Sequence, residues 1–207
     1  MFTGIIKDIG RVLSIENQGT SKIFGIESGI SGAMKIDESI SHNGVCLTVT
    51  EVSEKWHKVC AIEKTLEMTT LNQLSVGSVL NLEQAMLMNA RLDGHLVQGH
   101  VDGTATCTRI EERDGSWQFY FEHNCPHILV DEGSVCLNGV SLTVVKPTKT
   151  SFHVCIIPYT YEHTTFKSLA IGDLVNIEFD VIGKYIGKYM EAYGMALGTK
   201  PVKESFT

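Results

Sequence analysis

The stretch NGVCLTVT at residues 43–50 returns 95 residues later as NGVSLTVV at residues 138–145. In both copies an Asn-Gly pair precedes alternating apolar and polar residues, which is the pattern of a two-residue turn leading into the second strand of a β-hairpin. The sequence therefore predicts the same hairpin twice. One position inside it changes from Cys46 to Ser141, so the two hairpins present different chemistry.

The same offset relates a much longer part of the chain. Residues 38–83 and 133–178 align without a gap, and 18 of the 46 aligned positions are identical. A period this long indicates two tandem copies of one domain rather than stacked short repeats. Short alternating segments separated by glycines predict several strands per copy, forming a small barrel or sandwich. Residues 66–74 and 161–169 are each predicted to contain a short helix.

Composition narrows the class of protein. The chain has 207 residues, is 43% hydrophobic and 20% charged, and carries a formal net charge of -7. This acidic balance argues against a nucleic-acid partner, and no apolar run approaches the roughly 20 residues of a membrane span. The start of the chain lacks signal-peptide features, and the six cysteines have no disulfide-scaffold spacing. We predict a cytoplasmic protein without a membrane or nucleic-acid partner.

The hairpins predict a small polar face in each copy. Because side chains alternate along a strand, Val45, Leu47 and Val49 share the core face. Small hydroxyls and a thiol on the other face would leave space and hydrogen bonds for a polar ring. The alternative is an ordinary solvated face that uses Ser and Thr for their strand propensity. With Asn43-Gly44 as the turn, Ser41 is predicted to lie opposite Cys46 and Ser39 opposite Thr48. The predicted polar positions are Ser39, Ser41, Cys46 and Thr48 in the first copy, and Ser134, Cys136, Ser141 and Thr143 in the second.

Two histidines lie at the junction of the copies, in RLDGHLVQGHVDG at residues 91–103. His100 corresponds to Ile5 in the first copy, so it is an asymmetric feature. Histidine is the natural general base near neutral pH, and a thiol or hydroxyl can act as nucleophile. A strand through this junction would turn His95 and His100 to opposite faces, so we predict no metal site.

The tail outside the repeat has a different pattern. Residues 183–198 place Ile186, Met190, Tyr193 and Leu197 at helical spacing. This apolar stripe either packs on other copies of the chain or folds back on the chain's own barrels.

Several motifs together resemble the alpha-chain type riboflavin synthases. They are MFTGII at the N-terminus, the paired hairpins, GHLVQGHVDG at residues 94–103, and the twin segments KTLEMTTL and YTYEHTTF. The resemblance implies an all-β fold of two tandem six-stranded Greek-key barrels, residues 1–95 and 96–183. It also implies a C-terminal helix and tail, residues 184–207, that hold a homotrimer.

The activity implied is the dismutation of two 6,7-dimethyl-8-ribityllumazine molecules into riboflavin and 5-amino-6-ribitylaminouracil. No metal or external cofactor is expected, and a partnership with lumazine synthase stays open. His100 would help to deprotonate the 7-methyl group, and Cys46 and Ser141 would polarise the ring, add to C7 or activate water. The residues that the resemblance assigns to catalysis are His100, Cys46, Ser141, His95, Ser39 and Thr143.

For substrate binding, the resemblance implies two pockets, each with an opening strand, a hairpin and an edge. The first pocket is assigned Gly4, Ile5, Ile6, Cys46, Leu47, Thr48, Cys60, Ala61, Ile62, Glu63, Lys64 and Thr65. The second is assigned Gly99, His100, Val101, Ser141, Leu142, Thr143, Ile156, Ile157, Pro158, Tyr159, Thr160 and Tyr161. Glu132, which stands where a lysine can occur in relatives, is added as a contact to a neighbouring subunit's ligand.

Two other classes of protein compete with the enzyme. One is a fluorescent lumazine carrier of the same fold without catalysis, and the other is a structural β-repeat protein. The enzyme is favoured because the polar groups of both hairpins and both junction histidines are present. A structural repeat would explain the duplication, but not the asymmetric Cys/Ser and Ile/His pairs.

Overall fold

The computed structural model describes residues 1–194 and contains two closed six-stranded antiparallel barrels. Barrel one consists of β1 (Asp8–Gln18), β2 (Ser21–Glu27), β3 (Ser39–His42), β4 (Val45–Val52), β5 (Trp56–Ala61) and β6 (Val79–Gln84). Barrel two consists of β7 (Gly103–Arg113), β8 (Ser116–His123), β9 (Ser134–Leu137), β10 (Val140–Val145), β11 (Ser151–Ile156) and β12 (Leu174–Phe179).

Both barrels have the same strand order, which is β1-β2-β5-β4-β3-β6 in barrel one and β7-β8-β11-β10-β9-β12 in barrel two. The run β3-β4-β5 with β2 beside β5 is a Greek key. Short helices α1 (Glu63–Met68) and α2 (Pro158–His163) follow β5 and β11. The predicted fold class is confirmed. The two predicted helical segments are helical, but α1 and α2 begin three residues ahead of residues 66 and 161, and the 3-10 turns Thr70–Gln73 and Thr165–Ser168 follow them.

The predicted hairpin register is also confirmed. Ser41 pairs with Cys46 and Ser39 pairs with Thr48, and the second hairpin repeats this register. Val45, Leu47 and Val49 are buried in the core of barrel one, as the alternation predicted. Burial of one face fixes the register, because a slip of one residue would turn every apolar side chain outward.

The two Asn-Gly turns meet where the barrels touch. Asn43 and Asn138 have φ of 46° and 45°, and the following glycines are also left-handed, which is the conformation of a two-residue hairpin turn. A Cβ atom on Gly44 would lie 2.8 Å from the backbone nitrogen of Gly139, and the reverse distance is 2.9 Å. Glycine is therefore required at this contact for close approach as well as for the turn.

Two buried asparagines extend this joint symmetrically. Asn81 of β6 donates to the carbonyl of Asn138, and Asn176 of β12 donates to the carbonyl of Asn43, both at 2.8 Å. Each turn is thus held by the side chain of the opposite barrel. The result is a single joint with approximate twofold symmetry between the copies.

The junction between the barrels differs from the predicted strand. β1 and β7 begin at Asp8 and Gly103, so residues 4–6 and 99–101 lie ahead of the strands rather than in them. Phe2 and Val97 form an isolated antiparallel bridge. The junction forms no continuous ladder, because the Glu178 carboxylate accepts the N–H groups of residues 98–100 and the backbone N–H of Cys46 donates to the carbonyl of Gly99.

The chain continues after barrel two as helix α3 (Val181–Ala192), which begins ahead of residue 184. The carboxylate of Asp180 caps it by accepting the N–H of Ile182 at 2.9 Å. Within residues 1–194, no helix has the length and apolar character needed to span a bilayer. Leu197 of the predicted apolar stripe lies outside the described residues.

Candidate active site

Each hairpin is covered by a segment from the other half of the repeat. The N–H of Ser141 donates to the carbonyl of Gly4 at 2.8 Å, and the N–H of Cys46 donates to the carbonyl of Gly99 at 2.9 Å. The N-terminal segment therefore lies on the second hairpin, and the junction lies on the first. This corrects the predicted pockets, which paired residues 4–6 with Cys46 and residues 99–101 with Ser141.

Both contacts require glycine. Gly4 and Gly99 have φ of +78° and +77°, and their ideal Cβ positions lie 2.5 Å from Cβ of Ser141 and 2.6 Å from Cβ of Cys46. L-residues seldom adopt this backbone conformation, and here a side chain would also clash. The two glycines occupy equivalent positions of the repeat. The sequence therefore shows that they are equivalent, but it does not show which hairpin each of them contacts.

The covering segments explain why part of the predicted polar face is hidden from solvent. Ser41 and Cys136 are each 1% exposed, whereas Thr48 and Thr143 at the outer end of the hairpins are exposed. Burial raises the pKa of the Cys136 thiol well above its usual range. The simple solvated-face alternative is thus wrong for the inner half of each hairpin.

Two buried glutamates, which were not among the predicted site residues, hold the segments in place. Glu83 of β6 accepts hydrogen bonds of 2.6–2.9 Å from the N–H and hydroxyl of Thr3 and from the N–H of Gly4. Glu178 of β12 accepts the backbone N–H groups of residues 98–100 at 2.7–3.0 Å. Burial raises the pKa of both carboxyls, and these donors oppose that effect. The sequence held one signal for them, since glutamate occupies both equivalent positions of the repeat.

The second hairpin carries a histidine-hydroxyl pair. Nδ1 of His95 lies 2.6 Å from Oγ of Ser141, and the backbone N–H of His95 donates to the carbonyl of Thr3. Burial lowers the pKa of His95, while Asp180 acts in the opposite direction. A neutral imidazole in this position can accept the hydroxyl proton of Ser141. His95 and Ser141 are therefore brought together as a chemically competent pair.

The surroundings of the first hairpin have a different composition. Cys46 is half-buried and packs against a cluster that includes Phe2 and Val97. His100 directly follows the glycine that lies on Cys46, and its side chain is exposed. The asymmetric residues are therefore combined differently from the prediction. The segment with His100 lies on the Cys46 hairpin, and the segment with Ile5 lies on the Ser141 hairpin.

Not every predicted binding residue can offer its side chain. Leu47 and Leu142 are 6% and 9% exposed, and Ala61 and Ile156 are fully buried. These four point into the barrel cores and are restricted to backbone contacts with a ligand. The edge residues that follow them point outward, with Ile62 and Ile157 each 59% exposed.

The remaining predicted binding residues lie at or near the outer surface. Glu132 is exposed in the turn before β9 with φ of 60°, and its contact to another subunit's ligand stays a prediction. Exposed residues at the two edges are Glu63, Lys64, Pro158 and Tyr159, and partly exposed ones are Ser39, Cys60, Thr65, Thr160 and Tyr161. Ile6 packs on the core of barrel two and Val101 on that of barrel one, in agreement with the crossed segments.

Comparison with known proteins identifies this architecture as a lumazine-binding double barrel. The lumazine-binding domain family matches residues 3–85 and again residues 98–180. The chain is 40% identical to the riboflavin synthase of Bacillus subtilis (strain 168), over 92% of this chain and 90% of that protein. It is 38% identical to the Bacillus amyloliquefaciens riboflavin synthase, over 100% and 97%. The chain belongs to the riboflavin synthase family of enzymes, which confirms the resemblance.

A solved structure is similar as well. LumP complexed with 6,7-dimethyl-8-(1'-D-ribityl) lumazine superposes with a TM-score of 0.78 at 25% identity, covering 86% of this chain and 99% of LumP.

Proposed function

We propose that this protein is a riboflavin synthase that transfers a four-carbon unit between two molecules of 6,7-dimethyl-8-ribityllumazine. The products are riboflavin and 5-amino-6-ribitylaminouracil. Their atoms sum to those of the two substrates, so the reaction consumes no external oxidant or reductant. The observation that carries the proposal is the pair of crossed contacts, Gly99 on Cys46 and Gly4 on Ser141, which have matching geometry and different side-chain chemistry.

The two pockets suit different roles. We infer that the Ser141 hydroxyl, 2.6 Å from His95, adds to C7 of one substrate or delivers water there. His100, whose backbone is fixed by Glu178, takes a proton from the acidic 7-methyl group of the other substrate. Holding the two rings in fixed positions contributes effective molarity to a step that is bimolecular in solution.

We infer that the active assembly is a homotrimer in which a neighbouring subunit covers these pockets. Ile62 and Ile157 lie open at the pocket edges, and α3 exposes Ile182, Tyr185, Ile186 and Tyr189 by 55–64%. An exposed apolar face of this kind is typical of a protein interface. Ile186→Glu should dissociate the assembly in light scattering and reduce turnover, whereas Lys188→Glu on the same helix should leave the assembly intact. Cytoplasmic location and association with lumazine synthase stay predictions.

The direct test incubates the purified protein with 6,7-dimethyl-8-ribityllumazine and follows riboflavin and the pyrimidine product together. One riboflavin should appear for every two lumazines consumed, without an added metal or cofactor. A fluorescent carrier is the second candidate, favoured by the similarity to LumP. Stoichiometric binding with lumazine emission and no conversion would establish the carrier and refute the enzyme.

A further inference from the structure

Barrel one contains a chain of buried polar side chains in its interior. His42 and His57 are both 0% exposed, and their Nε2 atoms lie 2.9 Å apart. Nδ1 of His42 lies 3.1 Å from the carbonyl of Ile40, and Nδ1 of His57 lies 2.9 Å from Oγ of Ser31. Ser28 continues the chain, with its Oγ 2.8 Å from that of Ser31.

With both imidazoles neutral, as their lowered pKa values indicate, the partners fix the position of every proton in this chain. A carbonyl can only accept, so His42 must carry its proton on Nδ1 and accept at Nε2. His57 must then donate from Nε2 and accept at Nδ1, which makes Ser31 the donor to His57 and Ser28 the donor to Ser31. Both imidazoles are neutral, and all four ring nitrogens are already used.

The surroundings offer little to stabilise an added charge. Across the neighbouring strands, His42 faces Val45 and Leu82, and His57 faces Ile26 and Val52. The 3-10 turn Ser31–Ala33, which packs on β5, carries no charged residue. Of the charged groups nearby in sequence and register, Lys58 pairs with Glu51 and Glu16, and Glu83 accepts from Thr3 and Gly4. Glu27 at the end of β2, Glu54 and Lys55 are exposed.

Protonation of either imidazole is therefore unfavourable. Burial lowers the pKa of His57 to about 4, and burial together with His57 lowers the pKa of His42 to about 3. A first proton can enter at Nδ1 of His57 if the Ser31 hydroxyl turns toward Ser28, but it leaves a buried charge. A second proton on His42 would point one N–H at another, so the two rings must separate.

Barrel two lacks an equivalent histidine pair although its strands follow the same order. The repeat places Leu137 where barrel one has His42, Phe152 where it has His57, and Pro126 where it has Ser31. Leu137 and Phe152 belong to the apolar core of barrel two. Barrel two does bury His123 and His153, and burial lowers the pKa of both, but the His123 ring packs on Phe152 and Phe179 and the His153 ring stacks on Tyr120. The paired arrangement of two histidines therefore belongs to barrel one.

We propose that the His42–His57 pair is an acid-sensitive switch that opens barrel one, and with it the Cys46 pocket, before barrel two. His42 ends β3, which carries Ser41 opposite Cys46. His42 also directly precedes Asn43, whose carbonyl accepts the side chain of Asn176 from the other barrel. Separation of the two rings therefore disturbs both the first pocket and the joint between the barrels. The acid step does not depend on the proposed enzymatic activity.

The two tryptophans of the chain allow each barrel to be observed separately. Trp56 lies in β5 beside His57, and Trp117 lies in β8, stacked on Tyr161 with ring centroids 3.8 Å apart. Trp117→Phe leaves a reporter in barrel one, and Trp56→Phe leaves a reporter in barrel two. In an acid titration, the fluorescence of Trp56 should change at a higher pH than that of Trp117.

The pair itself is tested by giving barrel one the residues of barrel two. His42→Leu with His57→Phe should move the Trp56 transition to lower pH by about one unit, because both proton-binding sites of the unfolded state are removed. His163→Gln, which removes an exposed histidine, should leave the transition in place. An unchanged midpoint in the double variant would overturn the proposal.

Amide hydrogen exchange of the unmodified protein keeps the proposal testable if the double variant does not fold. After correction for intrinsic rates, strands β3 to β5 should lose protection at a higher pH than β9 to β11. Equal loss in the two sets of strands, or earlier loss in barrel two, would also overturn the proposal. Neither measurement uses substrate, so a failure of the proposed enzymatic function would leave these results unaffected.

Discussion

The carbonyl oxygen of Gly99 accepts a hydrogen bond of 2.9 Å from the N–H of Cys46, which places the junction between the barrels on the first hairpin. Gly4 makes the corresponding contact with Ser141 at 2.8 Å. Neither pocket is therefore built by one copy of the repeat alone. Duplication supplied two hairpins, and the exchange of segments made each pocket depend on both halves of the chain.

The contact at Gly99 leads to the first prediction. Gly99→Ala should destabilise the fold by about 2 kcal/mol, through left-handed strain and the clash with Cys46, and should reduce turnover roughly 100-fold by misplacing His100. Urea unfolding and steady-state kinetics measure the two effects. Gly115→Ala is the matched control, because its φ of +84° is equally strained but its Cβ would meet nothing within 4 Å. Equal losses of activity in both variants would contradict the prediction.

His95 and Ser141 should act as a unit. His95→Leu and Ser141→Ala should each lower kcat by roughly 100-fold, and the double variant should lose little more, because the removed interaction is shared. His95→Asn, which keeps an acceptor near the position of Nδ1, should lose less. Additive losses in the double variant would show that the two residues act independently.

The pH profile gives a separate check on this pair. The reaction as proposed needs neutral His95, and burial lowers the pKa of that imidazole. The acid limb of kcat that belongs to His95 should therefore lie below the ordinary histidine pKa of about 6.5, with activity retained as the pH falls through that value. The Ser141→Ala variant should lose this limb, and its persistence there would assign the limb to another group.

Asn81 and Asn176 should contribute equally to the unfolding free energy through the joint between the barrels. Asn81→Ala leaves the carbonyl of Asn138 and the N–H of Thr165 without their partner and should cost about 3 kcal/mol in unfolding free energy. Asn176→Ala should cost a similar amount. Asn72→Ala, at an exposed position, is the control and should change stability by less than about 0.5 kcal/mol. A cost confined to one of the two joint residues would refute the symmetric joint.

Neighbouring residues of the first hairpin should separate stability from binding. Leu47→Ala empties part of the core and should cost about 2–5 kcal/mol, with KM unchanged in the folded protein. Thr48→Ala on the outer face should raise KM while changing stability by less than about 0.5 kcal/mol. Thermal unfolding and kinetics on both variants test this division. An increase in KM for Leu47→Ala alone would place its side chain in the pocket.

The sequence by itself determined the features that depend on local pattern. The Asn-Gly turns, the register of Ser41 with Cys46 and the short helices are specified by residues close together in the chain, through turn geometry and side-chain alternation. The repeat also predicted two equivalent domains, because identical local patterns fold to identical local structures.

Tertiary structure decided what lies across the barrels. The predicted pairing of Gly4 with the first hairpin was wrong, because the repeat specifies equivalence between segments but not which copy each segment meets. Glu83, Glu178 and the His42–His57 pair act through contacts between residues far apart in sequence or on different strands. Such contacts are fixed only when the strands close and bury polar groups, since each buried donor or acceptor must then find a partner.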